Sequence, residues 1–387
     1  MDLRFTPEQE AWRREVRDFL DRELPSKYEF QTDYEERDEY WDFAVQFTKK
    51  VGQKGWLGLT WPKEYGGLAR PGTDRAIMMH EFDYRLAPLV NALGHNLAGG
   101  TLLKFCTEAL KRRLLPAILR TETIWLEGLT EPNAGSDLAS LQTRAVRDGD
   151  DWVVNGQKTF TTWGHRGDMM YLAARTNPEA PKHRGITIFA LDMKSKGVSI
   201  QPLHNFGGGR QNNIFFDNVR VPADMMMGEE GQGWYCITNY FYGGGGGSMG
   251  GHLRRVFDKV KAYCQETVYN GQPLSKEPAV RMKLAELAVT LEALKMLGWE
   301  SISRAERKEP SDYGGSLGAM LSKDFSPAFA QACMEILGPL AQLQEGPWAQ
   351  LGGEIEHYYR MSYGNHAGGT PQIKRMLVAT RGLGLPR

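Results

Sequence analysis

The chain has 387 residues, of which 41% are hydrophobic and 24% charged, enough for about two to three domains with sizeable cores and too apolar for a disordered chain. Lysine plus arginine equals aspartate plus glutamate at 47 each, so charge gives no support for nucleic-acid binding or an anionic membrane surface. Cys106, Cys236, Cys264 and Cys333 form no CxxC pair, which excludes a zinc site or a disulfide frame and suits free thiols in a reducing compartment.

The first third reads as helix. Thr6-Pro7-Glu8-Gln9 is a helix start, with Thr as N-cap, Pro in the first helical position and Gln at the capping-box site. Trp12, Val16, Phe19 and Leu20 follow on one face. This charged opening is neither a signal peptide nor an acid-poor transit segment, and no apolar run reaches membrane-spanning length, so a cytoplasmic protein with no membrane span is expected. Helical segments continue to about Arg120, interrupted by the aromatic, Gly/Pro-rich stretch Gly55 to Gly67. The middle third changes period. Asp148-Gly149 and Asn155-Gly156 are hairpin-turn signals on either side of Trp152-Val153-Val154. Met170 to Ala174, Ile186 to Leu191, Val198 to Ile200 and Asn213 to Phe216 are further strand candidates, which implies an antiparallel barrel or sandwich. Beyond Gly228 the pattern returns to helix, and Leu284, Leu287, Leu291 and Leu294 form the stripe of a bundle core. The expected fold is α+β: a helical domain over 1–122, a β domain over 123–228 and a four-helix bundle over 229–387.

Chemistry concentrates in Leu129-Thr130-Glu131-Pro132-Asn133-Ala134-Gly135-Ser136-Asp137 and in Asn155-Gly156-Gln157-Lys158-Thr159-Phe160-Thr161-Thr162. Gly135 lets backbone N–H groups approach an anion, and Ser136 adds a hydroxyl donor. Phe160 offers a flat face for stacking, and Thr130 and Thr162 offer small polar handles. A planar, polar-edged cofactor with phosphates would use all of these. Either segment alone is equally well explained as a hairpin with ordinary turn residues.

The two segments together closely resemble the flavin-binding signature of the acyl-CoA dehydrogenase family. Gly55-Trp56-Leu57-Gly58 with Trp61-Pro62-Lys63-Glu64-Tyr65-Gly66-Gly67, Lys111 to Pro116, Phe216 to Pro222, Gly231-Gln232-Gly233-Trp234 and Gly369-Thr370-Pro371-Gln372-Ile373-Lys374-Arg375 extend the likeness, in the family's order, over nearly the whole chain. The resemblance implies an oxidoreductase of lipid metabolism that binds FAD and an acyl-CoA thioester and passes electrons to an electron-transfer flavoprotein or similar acceptor. It places Leu129, Thr130, Gly135 and Ser136 on the flavin and its phosphates, with Ser136 also near the acyl-CoA. Phe160 would pack on the flavin, Thr162 would bond near its N5, and Thr370 and Gln372 would contact it from the C-terminal domain. The Gly369 backbone would approach the thioester carbonyl. Family members are usually tetramers, and Gly338, in Ile336-Leu337-Gly338-Pro339, matches part of a loop that serves a neighbouring subunit's FAD. Some similar members are mixed oligomers, so a homotetramer or a mixed tetramer with a related subunit is implied.

The departures fall on the catalytic base. Dehydrogenation needs a carboxylate to remove the α-proton while hydride leaves the β-carbon. The family carries that glutamate either just before the Gly-Thr motif or on the first helix after the β domain. Those positions are Gly368 and Gly244 here. Gly244 lies in the run Gly243 to Gly247, which reads as an open loop, or as a site cleared of side chains for a bulky acyl group. Glu127, Tyr242 and His366 are the remaining candidates. An ordinary phenol is a poor base at neutral pH, whereas a histidine titrates in the useful range. The region Thr267-Val268-Tyr269-Asn270-Gly271 lacks the arginine that often serves the adjacent subunit's FAD. Three readings remain: dehydrogenation of a bulky acyl-CoA, different chemistry at the same flavin site that needs no α-proton base, and a catalytically silent subunit of a mixed complex.

Overall fold

The computed structural model describes residues 5–28, 34–242, 250–309, 313–364 and 366–386. Helix α1 (Pro7–Glu23) opens with the expected capping box: the Gln9 N–H donates to the Thr6 hydroxyl and the Thr6 N–H to the Gln9 side chain. Its apolar face packs on α2 (Asp38–Gln53) and α3 (Gly72–Tyr84) in a core that holds Phe19, Phe47, Trp56 and Phe82. The glycine-rich interruption forms two short 3-10 turns, Trp56–Gly58 and Lys63–Tyr65. Gly67 is needed there, because a Cβ would lie 2.1 Å from the Trp61 carbonyl oxygen. Helices α4 (Gly99–Phe105) and α5 (Glu108–Leu119) then lay Leu102, Leu115 and Ile118 onto the sheet core.

The sheet contains β1 (Trp125–Gly128), β2 (Arg144–Asp148), β3 (Asp151–Lys158), β4 (Met169–Arg175), β5 (Ile186–Asp192), β6 (Val198–His204), β7 (Arg210–Pro222) and β8 (Met226–Met227). Strand order is β6-β7-β3-β2-β4-β5-β8, with β1 paired to β4. The expected antiparallel arrangement holds for most pairs, but β1 and β2 both run parallel to β4, so the sheet is mixed. Neither strand is joined to β4 by a tight turn. The intervening segments are long enough to carry the chain back to the same edge, as parallel neighbours require.

Of the two expected hairpin turns, Asp148-Gly149 is one: it joins β2 to β3 with Gly149 at φ +62°. Asn155-Gly156 is not. It lies inside β3, where the register against β7 shifts between Val154 and Gly156. Gly156 sits at φ +149°, and a Cβ there would come within 2.6 Å of the Thr143 hydroxyl. The pair therefore lies opposite a bulge whose extra residue is on β7, between Phe216 and Val219, while β3 keeps its alternation through Lys158.

The C-terminal region holds α6 (Gly233–Tyr242), α7 (Gly251–Glu266), α8 (Pro278–Glu306), α9 (Gly314–Leu337), α10 (Glu354–Tyr363) and α11 (Pro371–Leu377). Leu284, Leu287, Leu291 and Leu294 are buried as expected, against Val256, Val260, Phe329 and Ile355 from α7, α9 and α10. A buried ion pair, Arg255 Nε to Glu354 at 2.9 Å, ties α7 to α10. Between α7 and α8, β9 (Val268–Tyr269) and β10 (Gln272–Pro273) form a small exposed hairpin on Asn270-Gly271. All four cysteines are unpaired, and burial raises their thiols, those of Cys236 and Cys333 to about 12. Among the described residues no helix is long and apolar enough to cross a membrane. The run Gly243 to Gly247, with Gly244, lies outside the described residues.

Candidate active site

The turn after β1 is held from beneath by a buried ion pair. Lys158 Nζ reaches the Glu131 carboxylate at 2.8 Å and the Leu129 carbonyl at 3.0 Å, with Lys158 fully buried and Glu131 nearly so. The Gln142 and Thr143 N–H groups donate to the same carboxylate at 2.6 and 2.8 Å. Burial lowers the Lys158 amine to about 8 despite its partner. Burial would raise Glu131, but Lys158 and these donors outweigh it and hold the carboxyl below its ordinary value. Glu131 and Ala134 close a tight turn on each other's backbones, which leaves Gly135 and Ser136 exposed at its rim, with open space where a Gly135 Cβ would lie. The strand alternation of β3, with Trp152 and Val154 buried, was the signal that Lys158 also points inward.

Because the pair is buried, removing one member leaves the other charge stranded. Lys158→Met should lower the unfolding free energy by about 3–5 kcal/mol in urea titration.

The Thr159 N–H donates to the Thr130 carbonyl at 2.9 Å, so the end of β3 lies beside this turn. Phe160 follows at φ +57°, a costly conformation for an aromatic residue, with its side chain 49% exposed. Its neighbours enforce it. The Thr159 hydroxyl bonds Asn213 at 2.6 Å, and Thr161 and Asn212 exchange two backbone-linked bonds at 3.0 and 3.1 Å. Trp163, again at positive φ, is locked edge-on against Trp41 with centroids 5.7 Å apart. Thr162 lies at the surface, its hydroxyl 3.5 Å from Gln211 Nε2.

The fold brings the C-terminal motif to this ring. His366 meets Phe160 edge-on with centroids 6.5 Å apart. Gly368 and Gly369 follow at φ +70° and +97°, and the Thr370 hydroxyl caps α11 by accepting from the Ile373 N–H at 3.3 Å. Gln372 is exposed in the first turn of α11. Thr130, bonded to Thr159 at the end of β3, and Phe160, edge-on to His366, therefore lie where the sheet meets the C-terminal segment. An exposed ring in a strained conformation, rimmed by open backbone and hydroxyls, fits a flat cofactor with phosphates.

Gly338 does not belong to this cluster. It caps α9 at φ +79°, with nothing near a Cβ. Lys323, which donates to the Ala367 carbonyl at 2.7 Å, precedes it on α9 by about 22 Å of helix. The Tyr242 side chain lies outside the described residues, although its backbone ends α6.

Glu127 occupies β1 opposite Tyr171 of β4. It is mostly enclosed by protein, and it makes no hydrogen bond or ion pair among the described residues. Burial raises its carboxyl to about 7. Tyr171 and Tyr240 lie close enough to feel its charge, and Thr101 bonds the Tyr171 hydroxyl at 3.2 Å. A cavity of about 570 Å³ lies between α2 and α3 on one side and α7, α9 and α10 on the other.

Three family models cover the chain: the acyl-CoA dehydrogenase N-terminal domain at residues 6–122, the middle domain at 127–219 and the C-terminal domain at 231–383. The acyl-CoA dehydrogenase FadE26 of Mycobacterium tuberculosis is 35% identical over 100% of this chain and 99% of its own length. A solved structure described as the Tcur3481-Tcur3483 steroid ACAD superposes with a TM-score of 0.92 at 34% identity, covering all of both chains. The ChsE4-ChsE5 complex from Mycobacterium tuberculosis superposes with a TM-score of 0.88 at 32% identity, again over the whole of both chains. With all three domain models matched in order along the sequence, the chain belongs to the acyl-CoA dehydrogenase family.

Proposed function

We propose that the protein is an FAD-dependent oxidoreductase that dehydrogenates a bulky acyl-CoA thioester at its α,β-bond. The observation that carries this is Phe160, exposed and held at positive φ against the His366–Thr370 segment. Bound FAD would supply the hydride acceptor. The chain's own part is to bind and orient. Phe160 packs on the ring system and Thr162 presents a hydroxyl to its edge. Leu129, Thr130, Gly135 and Ser136 meet it from the sheet side, and Thr370 and Gln372 from the C-terminal side. Ser136 and the Gly369 backbone position the acyl thioester. Glu127 is the base we assign within the chain, because it is the acid beside this turn that is left without a partner and titrates near neutrality.

A specific observation favours a second arrangement. Both family base positions are glycine, and two similar structures carry two named components. In that arrangement a related subunit of a mixed tetramer supplies the carboxylate, and Gly338 reaches that neighbour's cofactor. Soluble residence in the cytoplasm and transfer of electrons to an electron-transfer flavoprotein complete the reading.

The first test is the absorbance spectrum of the purified protein, which should show a visible flavin band. Phe160→Ala should lose most of that flavin on dilution while its unfolding midpoint stays close to wild type. A colourless wild-type protein that takes up no added FAD sinks the proposal.

A further inference from the structure

Asn212 is the one polar residue among the buried positions of β7. An amide holds such a place only with its hydrogen bonds made. Its backbone carbonyl accepts from the Thr161 N–H at 3.0 Å, and its Nδ2 donates to the Thr161 carbonyl at 3.1 Å. One residue thus grips both backbone groups of the residue that follows Phe160. Gly164 permits the close approach, since a Cβ there would lie 2.9 Å from the Asn212 Cβ.

The amide cannot turn over. Arg210 Nε donates to its Oδ1 at 2.9 Å, which fixes the oxygen on that side and the nitrogen on the side of Thr161. The second hydrogen of Nδ2 is left for His165 Nδ1, 3.4 Å away. That ring nitrogen must present a lone pair, so the proton of a neutral His165 sits on Nε2, which lies 3.2 Å from the Glu36 carboxylate. The same N-terminal segment holds the other partners. The Arg210 N–H donates to the Glu35 carboxylate at 2.9 Å. Arg166 donates to the Glu35 carbonyl at 2.9 Å and to the Asp38 carboxylate at 2.7 Å. Residues 35–38 therefore brace the loop that carries Phe160.

We infer that His165 is a positioning residue for Phe160, and that only its neutral ring holds the loop in the form that accepts FAD. This rests on the FAD reading above and deepens it. A protonated His165 sets an N–H against the Asn212 amide N–H, and the amide cannot answer by flipping without giving up both Arg210 and Thr161. The grip on Thr161 then loosens. Phe160 keeps its positive φ only because both of its neighbours are held, so it relaxes out of the conformation that presents its ring. The charged groups that face His165, among the described residues, are Glu35 and Glu36 from the 3-10 turn Tyr34–Glu36, Asp38 at the start of α2, Arg210 on β7 and the adjacent Arg166. Burial and Arg210 disfavour the charged ring and outweigh Glu36, which holds it below its ordinary 6.5. The neutral form therefore prevails at pH 7 and is lost as the solution turns acid.

The test is fluorescence titration of the flavin-stripped, full-length protein with FAD at pH 7.5 and pH 5.0, which involves no turnover. Wild type should bind FAD about tenfold or more weakly at the lower pH, the worth of one buried hydrogen bond lost. His165→Gln offers an amide oxygen to Asn212 and cannot take up a proton, so it should bind FAD alike at both values. Phe160→Ala should bind weakly and show no difference between them, because the ring to be positioned is gone. A histidine that merely supports the fold would leave the difference in place there. His366→Gln should keep the wild-type difference, although His366 also meets the Phe160 ring. Should His165→Gln not fold, Phe160→Ala and His366→Gln decide. Equal wild-type binding at both values, a difference that survives in His165→Gln or Phe160→Ala, or one that vanishes in His366→Gln overturns the inference. Failure of the parent reading looks different: wild type would take up no FAD at either pH.

Discussion

Glu127→Gln is expected to stabilise the protein at neutral pH and, at the same time, to slow flavin reduction by acyl-CoA about 10²–10⁴-fold. The two effects share one cause. Burial raises the folded-state carboxyl from its ordinary 4.5 to about 7. Between those values the folded protein holds a proton that the unfolded chain has released. The penalty is therefore absent below about pH 4.5, grows as pH rises, and is complete above about 7, where it amounts to about 3 kcal/mol. Glutamine abolishes it. Urea unfolding at pH 5 and pH 8 should show wild type losing stability between the two relative to the variant. An ionised Glu127 is also the form that accepts a proton, so rapid-reaction flavin reduction should rise through about pH 7 in wild type and lose that rise in the variant. Greater stability without slower reduction would move the base to a partner subunit. Lower stability would make Glu127 a structural residue.

The same balance between local signals and distant partners explains how much was legible in the sequence. The capping box at Thr6, the leucine stripe of α8 and the Asp148-Gly149 turn are local, and each stands where its pattern placed it. Asn155-Gly156 carries an equally strong local signal and yet runs on inside β3, because Thr143 just before β2 and the pairing with the bulged β7 decide its conformation. Asn270-Gly271 does form a hairpin, but its two-residue strands offer no alternation by which to recognise them. The parallel pairing of β1 with β4 depends on a return across the sheet that no short window contains. In the candidate site, Phe160 was legible as a residue but not as a strained one, since its φ is imposed by Asn212 and Asn213 some 50 residues on. The partnership of Glu131 with Lys158 and that of Asn212 with His165 were invisible for the same reason. Each joins residues from segments that meet only in the folded chain.

In the arrangement where the isolated chain lacks a base, Gly368→Glu is expected to raise its flavin reduction by straight-chain acyl-CoA about 10²–10⁴-fold, the usual worth of a placed general base. The residue adjoins Gly369 and Thr370, and the ring of His366, two residues earlier, meets Phe160, so a carboxylate here would enter from the C-terminal side. The structure adds a cost that the sequence does not show. Gly368 sits at φ +70°, and a side chain in that conformation costs about 1–2 kcal/mol. The variant should therefore unfold slightly earlier in urea and still react faster, since the expected gain in rate is worth about 3–5 kcal/mol and exceeds the strain. Pairing it with Glu127→Gln separates the two bases. If Glu127 serves in the native chain, the double variant recovers activity, and its pH profile shifts down from about 7 toward that of an ordinary glutamate. If a related subunit supplies the carboxylate, Gly368→Glu activates the isolated chain alone and adds little to the reconstituted complex. An isolated wild-type chain that already oxidises acyl-CoA rapidly, and is slowed by neither substitution, would remove both assignments and leave His366→Gln and Tyr242→Phe as the next comparisons.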